Sequence, residues 1–119
     1  MKIFNREVAS IGNRIINAGE ASATTGAATV HTTAGTVTSE SLTTAQNAIY
    51  TLTITNDKVK ANSIVQATVA NGTNTQGTPM IGRVQPADGS VVIQVINKHA
   101  SSQALNGTVK VSFQVINPA

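Results

Sequence analysis

From Tyr50 onward the chain alternates apolar and polar residues with few interruptions, and this period of two constrains the fold more than any other feature. In the run from Thr108 to Val115, every second residue is valine or phenylalanine, and the residues between them are polar. Successive side chains of a β-strand point to opposite faces, so the pattern predicts a strand with one buried and one hydrated side. The run from Tyr50 to Thr55 repeats it.

Further alternating segments follow along the chain, separated by residues typical of turns. We predict strands near residues 36–44, 48–55, 63–70, 79–85, 90–97 and 108–116. Three of the connections contain an Asn-Gly or Asp-Gly pair, which supplies the positive φ that tight hairpin turns need, and the connection after residue 55 begins with Asn56-Asp57. Short strands at regular spacing with such turns predict an all-β sandwich or barrel.

The segment 90–97 departs from strict alternation, because Val92 and Ile96 place apolar side chains on the face that would otherwise be polar. Such a strand either lies in mid-sheet under cover or meets another subunit with its second face. This double-sided apolar character indicates an oligomer.

The first 35 residues have a different composition. Residues 1–18 carry apolar residues at spacings of four, three and four, the stripe of an amphipathic helix: Phe4, Val8, Ile11 and Ile15. A helix this short is marginal in water, so we expect it to order against its own domain, a sister chain or a partner. Residues 19–35 are nearly all small, as in a flexible linker or a loosely held edge strand, and 29–33 could form a short strand. We therefore predict an N-terminal arm over 1–35 and a β-sandwich domain over 36–119.

The charge pattern does not favour nucleic-acid binding. The formal charge is +3, but the eight basic residues are scattered, and the one close pair, Lys58 and Lys60, has no aromatic residues beside it on which bases could stack. Lys2, Arg6 and Arg14 at the amino end are instead suited to an acidic protein partner.

Several classes of protein are excluded or disfavoured by what the sequence lacks. The chain has no cysteine, which excludes disulfides, thiolate zinc sites and thiol catalysis. No apolar stretch approaches the ~20 residues of a membrane span. Charged residues stand near Met1 where a signal peptide would carry an apolar run, so we expect synthesis in the cytoplasm without export by the general route.

The residues that could carry catalysis stand apart in the sequence. His31 and His99 have no metal-ligand spacing, and the five acidic residues are spread singly. The serines at 101–102 follow His99, but no Gly-x-Ser-x-Gly turn surrounds them. Asn71 and Asn106 each begin a glycosylation sequon that, without an export signal, is more simply a turn. We predict no enzyme activity, no metal site and no cofactor.

A longer set of stretches points to a family: Tyr50-Thr-Leu-Thr-Ile-Thr-Asn56, Ser63-Ile-Val-Gln-Ala-Thr-Val69, Asn71-Gly-Thr-Asn74, Val91-Val-Ile-Gln-Val-Ile-Asn97, His99-Ala100 and Ala104-Leu-Asn-Gly-Thr-Val-Lys-Val-Ser-Phe113. Together, over roughly residues 36–117, they resemble a segment common in virion proteins of tailed bacteriophages. Similar segments occur at the carboxyl end of small capsid-decorating (cement) proteins and of fibre or knob proteins. The resemblance implies a jelly-roll-like antiparallel β-sandwich, usually trimeric, displayed on the outside of the particle.

The resemblance also implies a function. With only a short arm before the β-module, head decoration is favoured over a fibre, so the expected partner is the major capsid protein and the expected location is the outer capsid surface. The alternative is a knob that binds host-surface carbohydrate through loops around 71–78 and 99–106. For decoration, we expect the arm to grip the capsid or a sister chain through these residues: Phe4, Arg6, Val8, Ile11, Arg14 and Ile15.

Overall fold

In the computed structural model, which describes residues 18–118, the alternating segments form strands that pair into two four-stranded sheets. The strands are β1 Ala18–Ser22, β2 Ala27–Thr29, β3 Ala34–Thr38, β4 Ile49–Thr55, β5 Ile64–Asn71, β6 Pro79–Ala87, β7 Ser90–Asn97 and β8 Val109–Ile116. Sheet A has the order β1-β3-β8-β5, and sheet B has the order β2-β4-β7-β6. The expectation of an all-β sandwich is confirmed, whereas the helix predicted within residues 1–18 falls almost entirely outside the described residues.

Alternation along the strands builds the core between the sheets. Leu52 and Ile54 of β4 and Ile93 of β7 are fully buried on the inner side of sheet B. They belong to one apolar cluster with Val111 and Phe113 of β8 on the inner side of sheet A. Two sheets that pack about 10 Å apart are well filled by aliphatic side chains, which suits a chain with few aromatic residues.

The small residues before position 36 form edge strands, the second of the two interpretations of that segment. β1 pairs with β3 and β2 pairs with β4, both in parallel, so the sheets are mixed and the expectation of a purely antiparallel sandwich is wrong. Small side chains allow the close approach: a β-carbon on Gly19 would lie 2.6 Å from Val30. Residues 18–29 therefore contribute strands to both sheets.

The strand predicted at 36–44 is wrong in its bounds, because β3 ends at Thr38. The amide of Ser39 still donates to the carbonyl oxygen of Val109, at 2.9 Å. Beyond it the chain crosses from sheet A to sheet B, and Leu42 turns into the core with its amide bonded to the carbonyl oxygen of Gly107. The residues of this crossing segment have a composition typical of a strand, and for that reason the predicted strand was too long.

The strands that follow pair in a nested order. β3 pairs with β8 and β4 pairs with β7, both antiparallel, and β5 and β6 lie against each other where the two sheets meet at one edge. β5 also pairs with β8, antiparallel. At the opposite edge, β1 and β2 join the two sheets through a turn in which Thr25 and Gly26 both have positive φ. Such residues are those of a type I′ turn.

This topology gives the sandwich two distinct ends. Three connections meet at one end, which we call the loop end: residues 39–48, 72–78 and 98–108. The other end, which we call the arm end, holds residues 30–33, 56–63 and 88–89 together with the start of β1. The first described residue, Ala18, lies at the arm end, whereas the predicted sugar-binding loops lie at the loop end.

Candidate functional site

One buried side chain joins the three connections at the loop end. The amide of Asn97, the last residue of β7, is fully buried and bonds to four backbone groups. Its Nδ2 donates to the carbonyl oxygens of Thr44 and Gln103, at 3.0 and 2.8 Å. Its Oδ1 accepts from the backbone amides of Thr78 and His99, at 3.0 and 3.2 Å. Because these groups satisfy the amide completely, Asn97 orders the loops and is not available to a ligand.

The two Asn-Gly-Thr sequences face each other at the same end. The amide of Thr73 donates to Oγ1 of Thr108, and the amide of Thr108 donates to Oγ1 of Thr73, both at 2.9 Å. Gly107 permits this approach, since a β-carbon there would lie 2.6 Å from Oγ1 of Thr73 and 2.7 Å from the amide nitrogen of Asn74. The first sequon begins at the last residue of β5 and the second lies in the connection before β8, and their threonines bond the two connections to each other.

The predicted sugar-binding loops are therefore brought together, but their polar groups are largely bonded to one another. Oδ1 of the buried Asn74 accepts from the amide of Asn106, and its Nδ2 donates to the carbonyl oxygen of Gln76, both at 2.7 Å. On the exposed side, Nδ2 of Asn106 donates to Oγ1 of Thr75 at 2.8 Å. A sugar at this end would have to compete with bonds that the loops already make.

The two histidines lie at opposite ends. His99 Nδ1 is 3.1 Å from the hydroxyl of Thr78, not beside the serines at 101–102, and His31 Nδ1 is 3.3 Å from a carboxylate oxygen of Asp57. Within residues 18–118, no three histidine, aspartate or glutamate side chains come together as a metal site would require. Neither pair resembles a nucleophile with an oriented base.

Tyr50 has the one strongly perturbed titration in the described part of the chain. Its hydroxyl donates to Oε1 of Glu40 at 2.7 Å. Burial disfavours the phenolate, and the hydrogen bond and the negative charge of Glu40 act in the same direction, so the pKa of Tyr50 is raised well above its usual value. The pair connects β4 to the crossing segment and has the character of a structural contact.

The outer face of sheet B carries an exposed apolar row at the loop end. Ile49, Ile96 and Met80 lie side by side on β4, β7 and β6. Ile49 is 51% exposed and Met80 is 50% exposed, and the polar residues of the same face include the threonines of β4 and Gln94 of β7. β7 thus lies in mid-sheet, and among residues 18–118 nothing fully covers the outer side on which its additional apolar residues stand.

The outer face of sheet A carries an exposed apolar pair at the arm end. Ile64 of β5 and Ile116 of β8 are direct partners in the ladder, 53% and 42% exposed. Among the residues of the two rows, only Ile96 was singled out from the sequence, although the alternation carries a signal for the other isoleucines, because each stands on the polar side of its strand. Their adjacency was missed, since it depends on which strands are neighbours.

The residues predicted to contact a partner, all at positions 4–15, lie outside the described part of the chain. Among residues 18–118 no helix of a length and apolarity sufficient to cross a membrane is found. Comparison of the chain with protein families, with characterised proteins and with solved structures gave no match.

Proposed function

We propose that this chain is a structural virion protein that decorates a phage capsid and stabilises it by bridging neighbouring major capsid subunits. The observation that carries the proposal is the pair of outer faces, each with large aliphatic side chains about half exposed on an otherwise polar sheet. Exposed apolar groups rimmed by polar residues mark surfaces that contact other proteins.

The proposal includes a jelly-roll arrangement of β3 to β8. The nested pairing of β3 with β8 and β4 with β7, with β5 beside β6, is what results when a long antiparallel ribbon is rolled up on itself. The parallel edge strands β1 and β2 are an addition that closes the edge formed by β3 and β4.

The rigidity of the loop end supports a role in cementing. A protein that bridges subunits must keep its shape under load, and the bonds of Asn97, Asn74 and the Thr73–Thr108 pair hold three connections together. Many modest contacts over a large area then give strong attachment, particularly in a homotrimer, where engagement of one copy raises the effective concentration of the others.

The arm is proposed to supply part of the capsid grip or of the trimer contact. Co-sedimentation of the full chain with undecorated capsids tests the function, and saturable binding is expected. Substituting Val8→Ser and Ile11→Ser should weaken the binding strongly, whereas Asn13→Ser with Asn17→Ser, on the other side of the predicted helix, should not. Capsids that sediment without the protein at any concentration would contradict the proposal.

Carbohydrate binding by a fibre knob is the second candidate, because the structure brings the loops around 71–78 and 99–106 together. It requires glycan-array binding that is lost when exposed groups such as Thr75 and Gln103 are replaced. Glycan binding without capsid binding would favour the knob over the decoration protein.

A further inference from the structure

The outer face of sheet A is a shallow trough. Its central strands, β3 and β8, present small side chains along the trough floor, among them Ala34, Thr36 and Ser112. Larger side chains flank them, with Glu20 on β1 and Gln66 on β5. Three adjoining depressions share Ser112, and the largest of the three has a volume of about 560 Å³. A rod-shaped segment could therefore lie along this face.

The trough is apolar at the arm end and polar at the loop end. Ile64 and Ile116 stand on the same face just beyond its arm end, next to Gln66 and Gln114, while Lys110 and Thr38 line its loop end. Leaving both isoleucines half exposed is unfavourable by roughly 25 cal/mol for each Å² that a partner could cover. The occupant should accordingly place apolar side chains toward the arm end.

Residues 1–17 of this chain have the required character. Their apolar stripe, from Phe4 to Ile15, matches an aliphatic surface, and Lys2 and Arg6 fall on the opposite side of a helix with 3.6 residues per turn. Seventeen helical residues would span about 25 Å at 1.5 Å per residue. The eight residues of β8 span about 26 Å at 3.3 Å per residue, so the segment and the trough agree in length.

The direction of β1 indicates which copy the segment covers. β1 runs parallel to β3, so the chain enters the sandwich at the arm end and moves toward the loop end. To cover its own sheet A, the segment would have to reverse direction between Ile15 and Ala18, which would draw Ile15 away from the sheet. A neighbouring copy can accept the segment without such a reversal.

We propose that residues 1–17 of one copy lie along the outer face of sheet A of a neighbouring copy, with the apolar stripe on Ile64 and Ile116. This inference rests on the homo-oligomer that the proposed function includes. It makes the arm an exchanged element between copies and leaves Lys2 and Arg6 directed outward, where they can meet acidic groups of the capsid.

Because the chain has no cysteine, single introduced thiols report the contact cleanly. A Glu7→Cys protein and a mass-tagged Gln66→Cys protein are mixed, re-equilibrated and treated with a short thiol crosslinker. The expected product is a crosslinked pair of unlike chains, several-fold more abundant than with a Thr51→Cys control on the outer face of sheet B. Equal yields with Gln66→Cys and Thr51→Cys would overturn the proposal.

A second measurement distinguishes packing of the arm on a neighbouring copy from packing of the arm on its own chain. The double variant Glu7→Cys and Gln66→Cys is diluted into an excess of cysteine-free chain before crosslinking. Loss of the crosslink on dilution is expected, because the two thiols then lie on different pairs of copies. Efficient crosslinking within single chains would overturn the proposal and assign the arm to its own sheet.

A third variant tests the apolar pair itself. Ile64→Thr with Ile116→Thr should weaken the contact about ten-fold, with the thermal midpoint little changed, because both side chains are already half exposed. Ile49→Thr with Met80→Thr on sheet B is the matched control and should leave crosslinking intact. Failure of capsid binding with intact crosslinks would refute only the decoration role, whereas capsid binding without crosslinks would refute only the arm exchange.

Discussion

The connections at the loop end and those at the arm end of the sandwich are held together by different hydrogen bonds. At the loop end three connections are joined by a buried amide, that of Asn97, with four bonds to backbone groups. At the arm end Gly89 exchanges backbone bonds with Asn56 and Val59, and the buried side chain is that of Asn56. The side chain of Asn56 adds only two bonds, to Thr32 and Lys58. Asn97 thus joins three connections at its end of the sandwich, whereas Asn56 joins two at the other end.

The largest expected effect is from Asn97→Ala, which leaves four backbone groups without their partner. We expect the free energy of unfolding, measured by urea denaturation, to fall by about 3 kcal/mol or more. Asn56→Ala, with half as many bonds lost, should cost about 1–2 kcal/mol. Asn62→Ala in an exposed turn is the control, with a change within about 0.5 kcal/mol. Equal losses for Asn97 and Asn56 would remove the distinction between the ends.

Glycine substitutions sharpen the comparison. Gly107→Ala at the loop end forces a β-carbon against Thr73 and Asn74, so unfolding should become easier by about 2 kcal/mol. Gly89→Ala at the arm end meets no atom within 4 Å and suffers only from its φ of +86°. Its cost should be about 1 kcal/mol. The account is contradicted if Gly89→Ala proves the more damaging of the two in the same denaturation assay.

A double-mutant cycle on Thr73→Val and Thr108→Val measures the reciprocal lock between the two Asn-Gly-Thr sequences. Each hydroxyl accepts from the other residue's amide, so the two losses should be coupled by about 1 kcal/mol. Independent, additive losses would mean that the lock contributes no stability beyond its separate bonds.

The contact of Tyr50 has the smallest expected effect on the free energy of unfolding near neutral pH and a large effect in alkali. Its pKa is raised in the folded chain, by burial first and then by Glu40, so the unfolded chain loses the phenolic proton first, near its ordinary pKa of about 10. The stabilisation is complete below about pH 10 and is lost as the pH rises further. Because Tyr50 is the only tyrosine, phenolate absorbance follows it directly. Titration near pH 10 in the folded protein would contradict the buried contact.

Alternation predicted the strands from β4 onward to within one or two residues, because each has an inner side that is buried and an outer side that is not. The prediction at 48–55 corresponds to Ile49–Thr55, and that at 90–97 corresponds to Ser90–Asn97. The edge strands before Ala34 were ambiguous, because their small residues have no period of their own. Their order comes from pairing with β3 and β4, which is a tertiary effect.

The candidate contact surfaces were only partly predictable for a related reason. Asparagine is typical of turns whether it is buried or exposed. Nothing in the sequence therefore shows that Asn56, Asn74 and Asn97 are buried and join loops. The isoleucines on the outer faces were visible as breaks in the polar side of each strand. Their assembly into rows required the strand order, which the sequence does not contain explicitly.

The outer faces matter to this account because they are taken to be covered in the assembled protein. Sedimentation of the full chain across a range of concentrations measures that directly, through the mass of the species in solution. The account predicts a species of three chains whose population rises with concentration and reaches dominance. A mass of one chain at every concentration, with both apolar rows left in water, would contradict it.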